Sequence, residues 1–193
     1  MKKINLIVTL VILAGFFGWS GYNQWDASRV VVIDNPTGQQ ITFQLNGTDY
    51  SIDAGGKQTI HLDEGEHTLK IGEEEKKFTK PVFTFKWSMF VGRSKQLSVL
   101  NPTESTYILW HEVYGKDLTE EKVDSLLPTY DCEIDGEPDT CNHKEIDDLY
   151  FESVVDYTLD QHFPDEVKMS RGASYVLRSK LFRLDDFIAY IEE

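Results

Sequence analysis

The chain has little cysteine, little positive charge and no apolar run of full membrane-spanning length. Its 193 residues include two cysteines, and 19 lysines and arginines stand against 33 aspartates and glutamates. A surface this acidic repels phosphates, so a nucleic-acid partner is not expected. The sequence also lacks a Gly-x-Ser-x-Gly elbow and a glycine-rich phosphate loop, so it carries no enzyme signature. The many acidic residues still leave open a pair of catalytic carboxylates, as in a hydrolase.

The N-terminal apolar run is intermediate in length between a signal-peptide core and a membrane span. Residues 4–19 follow two lysines and carry no charge. As a helix rising ~1.5 Å per residue, such a run covers roughly 24 Å, against about 30 Å of membrane hydrocarbon. The lysines predict a cytoplasmic N-terminus followed by an exported body.

Two interpretations of residues 1–25 stay open. An uncleaved anchor, which would use residues 4–19 to contact the bacterial inner membrane, is favoured by aromatic residues suited to the membrane interface, Trp19 and Trp25. A cleaved signal peptide needs small residues at the cleavage site, which only Gly18 and Ser20 offer. It would leave a soluble periplasmic protein.

Residues 40–71 carry the clearest structural pattern, a two-residue alternation of apolar side chains. Asn46-Gly47 predicts a type I′ hairpin turn, because both central residues of that turn need positive φ. The predicted cross-strand pairs are Leu45 with Thr48, Phe43 with Tyr50 and Ile41 with Ile52. Apolar partners at each inward position stabilise such a pair of strands.

A second hairpin is predicted around the turn at residues 63–65. Its inward-facing residues are Ile60 and Leu62 on one strand and Leu69 and Ile71 on the other. The same alternation turns His61 outward and His67 inward, so these two histidines do not share a metal ion. We expect His67 to be a half-buried, hydrogen-bonded histidine at a sheet end. His111-Glu112 lacks the second histidine of a zinc-protease helix and predicts no metal site.

Further short strands predicted at residues 29–33, 96–100 and 106–110 complete a mainly β fold. We predict a β-sandwich-like antiparallel domain over residues 26–115, preceded by an N-terminal hydrophobic helix. Asn-Pro-Thr occurs twice, at 35–37 and 101–103. The flanking sequences do not match, and the pattern is interpreted as two similar turns.

From Lys116 onward the spacing of the apolar residues changes, and the two-residue alternation no longer holds throughout. Thr119 followed by two glutamates predicts a helix start, and the apolar stripe in 184–193 predicts a short C-terminal helix. Strands are predicted within 147–159 and 174–182. Residues 116–193 therefore form an α+β extension of the sheet or a small second domain.

The segment from Leu62 to Ile71, with its Gly-Glu-His-Thr core, resembles the end of a PEGA-type repeat, a small β module of bacterial envelope proteins. Upstream, Leu45-Asn46-Gly47 stands where that family has an apolar-Asp-Gly turn, while Ser51–Gly55 replaces the family's Thr-Pro step. The resemblance covers about residues 41–71. It implies an envelope setting and a sandwich-like sheet, and it implies no catalytic residues.

Residues 76–95 are basic and aromatic within an otherwise acidic protein. One interpretation is a strand that buries aromatic rings while its lysines balance acidic neighbours. The other is a surface patch that contacts lipid headgroups, an anionic envelope polymer or an envelope protein. The predicted binding patch comprises Lys80, Lys86, Trp87, Phe90 and Arg93.

The two cysteines, Cys132 and Cys141, predict a disulfide in an exported protein. The loop between them alternates acidic residues before a glycine, as the first half of a calcium-binding EF-hand loop does. A solvated acidic loop is one interpretation and a weak calcium site the other. The predicted calcium ligands are Asp131, Glu133, Asp135 and Asp139.

These features predict an exported, non-enzymatic β-domain protein that is a binding or scaffolding module of the bacterial envelope. A periplasmic hydrolase with an unidentified carboxylate pair and a calcium-stabilised surface domain are the alternatives. The sequence indicates no cofactor other than calcium.

Overall fold

The computed structural model describes residues 2–85, 94–134, 136–169 and 172–192. The chain starts with a long helix and continues as a mainly β body that ends in a short helix. In chain order the elements are α1 Lys2–Ser28, β1 Val30–Asp34, β2 Ile41–Leu45, β3 Thr48–Ile52, β4 Lys57–His61, β5 Gly65–Ile71, β6 Glu74–Lys80, β7 Lys95–Leu100, β8 Tyr107–Gly115, α2 Glu120–Asp124, β9 Tyr130–Ile134, β10 Glu137–Cys141, β11 Lys144–Ile146, β12 Tyr150–Val155, β13 Tyr175–Arg183 and α3 Leu184–Glu192.

The described strands form three sheets and one separate hairpin. Sheet A has the order β12-β7-β1-β4, sheet B the order β3-β2-β5-β6 and sheet C the order β11-β8-β13, while β9 and β10 pair with each other. Strands β1 and β7 run parallel at the centre of sheet A. The other strand pairs are antiparallel.

Sheet A is the middle layer, because its two faces belong to different cores. One core joins sheet A to sheet B and contains Val31, Ile33, Phe43, Leu45, Leu69 and Leu100. The other joins sheet A to sheet C and contains Leu97, Val99, Tyr107, Phe151 and Leu181. A third, smaller core lies between sheet C and α3 and contains Ile108, Phe182 and Phe187. Alternate residues of β1 and β7 therefore face opposite layers.

The chain contains the same arrangement of strands twice. Unit 1 comprises β1–β6, residues 30–80, and unit 2 comprises β7–β13 with α3, residues 95–192. In unit 1, β1 pairs with β4 while β2 lies between β3 and β5; in unit 2, β7 pairs with β12 while β8 lies between β11 and β13. Exchanging the units leaves the order of sheet A unchanged and exchanges β3-β2-β5 of sheet B with β11-β8-β13 of sheet C, whereas β6 has no counterpart among the described strands of unit 2.

The Asn-Pro-Thr corners occupy equivalent places in the two units. The Asn35 N–H donates to the Gly56 carbonyl at 2.9 Å, and the Asn101 N–H donates to the Leu149 carbonyl at 2.8 Å. Gly56 and Leu149 immediately precede the equivalent strands β4 and β12. The two turns therefore mark a structural repeat, whereas the sequence alone predicts only two similar turns. Unit 2 differs by an insertion, residues 116–143, that holds α2, β9 and β10.

The first predicted hairpin is confirmed, with the predicted register. Phe43 lies opposite Tyr50 in the β2–β3 pair, and their rings stack with centroids 5.6 Å apart. Asn46 and Gly47 both have positive φ, 51° and 79°. The alternation and the turn residues together fix this register.

The second predicted hairpin is wrong. Strand β4 pairs with β1 in sheet A, whereas β5 lies between β2 and β6 in sheet B. The Leu62 N–H donates to the Arg29 carbonyl, which continues the pairing of β4 with β1. Leu62 and Leu69 nevertheless contribute to the same core from the two sheets. A two-residue period specifies the buried face of a strand and leaves its partner undetermined.

The predicted boundary at 115/116 separates strands that share sheets. Strand β12 pairs with β7 and β13 pairs with β8 along its whole length, so residues 116–193 continue the sheets of the preceding segment. The predicted helix start is confirmed, since the Thr119 side chain accepts a hydrogen bond from the Lys122 N–H at the start of α2.

Candidate functional site

Lys80 is described in the structure and does not lie on an exposed patch. Its side chain is 1% exposed, because the alternation of β6 turns it toward sheet A on the same face as the buried Phe78. The expectation that Lys80 contacts an external partner is therefore wrong for the folded domain. The other four predicted patch residues, Lys86, Trp87, Phe90 and Arg93, lie outside the described residues.

The Lys80 ammonium belongs to a polar cluster around the Glu152 carboxylate. Lys80 Nζ lies 4.0 Å from Glu152 Oε1. Tyr150 donates to Oε1 at 2.8 Å, Ser98 to Oε1 at 3.5 Å and Gln96 to Oε2 at 2.6 Å. Burial, reinforced by Glu152, raises the pKa of Tyr150. Because the carboxylate already accepts from several donors, this cluster joins sheets A and B and offers no free base.

Cys132 and Cys141 are bonded, as predicted, with Sγ atoms 2.11 Å and Cα atoms 5.8 Å apart. The disulfide closes the β9–β10 hairpin within the insertion of unit 2. The disulfide therefore lies outside the three stacked sheets.

The predicted calcium ligands lie on both faces of the β9–β10 hairpin. Asp139 pairs with Cys132, whereas Asp131 pairs with Thr140 and Glu133 with Pro138. Directly paired residues share a face, so Asp139 lies on the disulfide face and Asp131 and Glu133 on the other. Asp135 lies outside the described residues.

No group of three or more His, Cys, Asp or Glu side chains suited to a metal ion occurs in the described part of the chain. The calcium site stays a prediction.

The histidine pair behaves as the alternation predicts. His61 is exposed and His67 is buried. His67 Nε2 lies 2.8 Å from the Asp63 carbonyl, and Nδ1 lies 2.9 Å from Asn46 Nδ2. Since a carbonyl only accepts, Nε2 carries the proton and Nδ1 accepts from the amide, which is the neutral tautomer. His67 is a structural residue that fixes the hairpin turn.

His111 links the insertion to sheet C. Its Nε2 lies 2.8 Å from the Tyr130 hydroxyl, and its Nδ1 is buried without a hydrogen-bond partner among the described residues. Burial lowers the pKa of His111, partly opposed by Asp156.

Helix α1 exposes large apolar side chains along its middle. Val11 is 66% exposed, Ile12 64% and Trp19 69%. At its C-terminal end, the Arg29 guanidinium lies 5.0 Å from the Trp25 ring and pairs with Asp63 at 2.8 Å, which joins the helix to the body. A helix with the length and hydropathy that a membrane span requires is not found among the residues described.

A cleft on the outer side of sheet C is absent from the sequence-based predictions. It has a volume of about 600 Å³ and lies between β13, α3 and the segment that follows β12. Lys180 forms part of its wall together with aromatic and acidic side chains. These residues come from three separate segments, so no local motif marks the cleft.

No family model, curated protein or solved structure matches this chain. The PEGA-type resemblance of residues 41–71 accordingly stays a prediction.

Proposed function

We propose that this protein is an exported, non-enzymatic β-domain protein of the bacterial envelope that serves as a binding or scaffolding module. We infer that it is anchored in the inner membrane through residues 4–19, with the sandwich-like body in the periplasm. Cleavage near residue 20 would instead release the body as a soluble periplasmic protein.

The exposed apolar surface of α1 carries this proposal. Val11, Ile12 and Leu13 follow one another at 100° per residue, so they point in three different directions around the helix axis, and their side chains are 66%, 64% and 45% exposed. A helix that is apolar all round is normally covered by lipid or by protein. The two lysines before the run favour the orientation with the body outside the cytoplasm.

Two further features support export. The Cys132–Cys141 disulfide suits an oxidising compartment. The strong excess of acidic residues favours a soluble body.

A C-terminal alkaline phosphatase fusion tests the proposal, because that reporter is active only outside the cytoplasm. We expect phosphatase activity and, for an uncleaved anchor, carbonate-resistant membrane association with an intact N-terminus. The Ile12→Arg/Leu13→Arg double variant should lose both. Val82→Arg is the matched control, since Val82 is an exposed apolar residue of the body, 74% exposed. A silent reporter together with reduced cysteines would refute export.

The predicted contact patch needs a separate test because most of it lies outside the described residues. We expect Lys86→Ala/Trp87→Ala to reduce co-sedimentation with anionic liposomes or cell-wall sacculi. Lys70→Ala is the control, as an exposed lysine of β5 outside residues 76–95. Equal sedimentation of both variants would remove the patch from the proposal.

The alternative functions stay predictions. Calorimetric melting with and without calcium tests the calcium-stabilised domain, and an unchanged midpoint would count against it. A hydrolase requires two carboxylates that face one bound substrate. The Glu152 cluster does not provide them, because its hydrogen-bond donors already occupy the carboxylate.

A further inference from the structure

The cleft on the outer side of sheet C is lined by a buried lysine together with aromatic and acidic side chains. The rings of Phe163, Phe182 and Tyr190 line it, with Asp165 and Asp186. Its volume of about 600 Å³ falls within the range of small-molecule sites. Ring centroids of Phe163 lie 6.1 Å from Phe182 and 6.0 Å from Tyr190, so the aromatic wall is continuous.

The Lys180 ammonium contacts a ring and has no acceptor among the residues that the structure describes. The residue is 6% exposed, and its Nζ lies 3.7 Å from the centroid of the Phe182 ring. No hydrogen bond or ion pair from Lys180 to another described residue accompanies this ring contact. Burial lowers the pKa of Lys180 and Asp186 opposes that shift. Because Lys180 lines the cleft and its ammonium can only donate, a ligand oxygen in the cleft can accept a hydrogen bond from it.

Asp186 supplies the opposite charge without pairing with Lys180. The two side chains attract each other and both line the cleft, yet they form no ion pair. A simple anion bound to Lys180 would meet the aspartates, and a simple cation bound to the aspartates would meet Lys180. A ligand with both charges satisfies the two groups together.

We propose that this cleft binds a small zwitterion, an amino acid with an aromatic or large apolar side chain. The carboxylate accepts from Lys180, the ammonium donates to Asp186, and the side chain packs on Phe163 and Tyr190. The inference is independent of export, because it uses residues of unit 2 alone.

Isothermal titration calorimetry of the full chain in mild detergent tests the inference with L-phenylalanine as the probe. Two analogues each remove one charge: 3-phenylpropionate lacks the ammonium and phenethylamine lacks the carboxylate. A lost charge-assisted hydrogen bond weakens binding roughly 10-fold or more, so both analogues should bind at least about 10-fold more weakly. This comparison uses the wild-type protein and does not depend on the folding of a variant.

The Lys180→Met variant should lose phenylalanine binding, whereas Lys70→Met should retain it. Lys70 holds the register position on β5 that Lys180 holds on β13, and it is exposed. Circular dichroism of each variant verifies the fold. Undetectable binding of phenylalanine at about 10 mM, equal affinity for 3-phenylpropionate, or full binding by Lys180→Met would overturn the inference. None of these results bears on the alkaline phosphatase test.

Discussion

The two units share a strand arrangement and differ in what covers their outer sheet. In unit 1, Gln44 lies opposite Lys70 on the outer face of sheet B, and both side chains are exposed. In unit 2, Trp110 lies opposite Lys180 at the equivalent register, and α3 covers that face. In unit 2 a helix and a tryptophan form a third core on the face that is exposed in unit 1. The lysine is present in both units, and only in unit 2 is it enclosed.

The faces of sheets B and C that point toward sheet A also differ. At equivalent positions this face is apolar in unit 1 and polar in unit 2. Leu45 pairs with Leu69 in unit 1, and both are buried in the core between sheets A and B. The equivalent pair in unit 2 is His111 with Ser179. His111 binds Tyr130 of the insertion, and the Ser179 N–H donates to Asp156 at 3.0 Å. Polar residues thus enter the core of unit 2 where an additional segment is attached.

The largest loss of stability is expected from replacing Asp34, whose side chain joins the two units. Asp34 is fully buried; it accepts from Tyr107 at 2.7 Å and from two Arg183 nitrogens at 2.9 and 2.6 Å. Leu100 holds the equivalent place in unit 2. Asp34→Asn leaves the guanidinium without its counter-charge, and we expect a loss of about 3–5 kcal/mol in urea unfolding.

Asp63→Asn is the control for Asp34→Asn. It breaks the ion pair with Arg29, in which the Asp63 side chain is 77% exposed, and we expect a loss below about 1 kcal/mol. Equal losses for the two variants would show that Asp34 does not hold the units together.

The next effect tests whether the two corners are energetically equivalent. Asn35 Nδ2 donates to the Gln39, Ile52 and Asp53 carbonyls. Asn101 Nδ2 donates to the Ser105 and Asp148 carbonyls. Each Asn→Ala variant leaves buried carbonyls unpaired, and we expect losses of about 2–4 kcal/mol, with Asn35→Ala the larger.

Urea unfolding measures both corner variants. Thr37→Val serves as the control, since it keeps the Asn35 amide donors. A loss confined to one corner would break the equivalence of the units.

Local patterns predict the first hairpin because its turn and its cross-strand pairs are neighbours in sequence. The second hairpin is mispredicted because β4 and β5 bury the same face against one core from different sheets. The repeat is obscured by the insertion of residues 116–143 and by α3, which has no counterpart in unit 1. Sequence patterns therefore identify the strands, whereas the pairing of distant strands depends on the whole fold.

The candidate site depends even more on distant contacts. Lys180 is enclosed by residues of α3 and of the segment after β12, which no periodicity links to β13. The sequence contains one usable signal of the repeat. Asn35 and Asn101 are 66 residues apart, and the same offset aligns the polar Gln44 of unit 1 with Trp110 of unit 2. For Lys80, alternation with Phe78 indicates an inward side chain, whereas the basic residues that follow it in the sequence favour a surface position.

Removal of the disulfide tests how far the insertion is separate from the repeat. A closed loop of about ten residues contributes about 2.7 kcal/mol in the chain-entropy model. Since β9 and β10 pair only with each other among the described strands, Cys132→Ser/Cys141→Ser should destabilise the hairpin by that amount. Amide hydrogen exchange should rise in residues 130–141 and stay unchanged in β1 and β7. Faster exchange throughout sheet A would show that the insertion supports the whole fold.

The smallest effect is a pH dependence specific to unit 2. Burial lowers the pKa of His111 in the folded protein, so below about pH 6.5, the ordinary histidine value, the unfolded chain binds more protons than the folded one. This group therefore reduces stability as the pH falls. His111→Leu, which copies Leu45 of unit 1, should show a smaller drop in melting temperature between about pH 7.5 and about pH 5.5. Tyr130→Phe removes the hydrogen bond but keeps the imidazole, so it should retain the wild-type drop. An identical drop in His111→Leu would assign the acid sensitivity to the carboxylates and leave the two units alike in this respect.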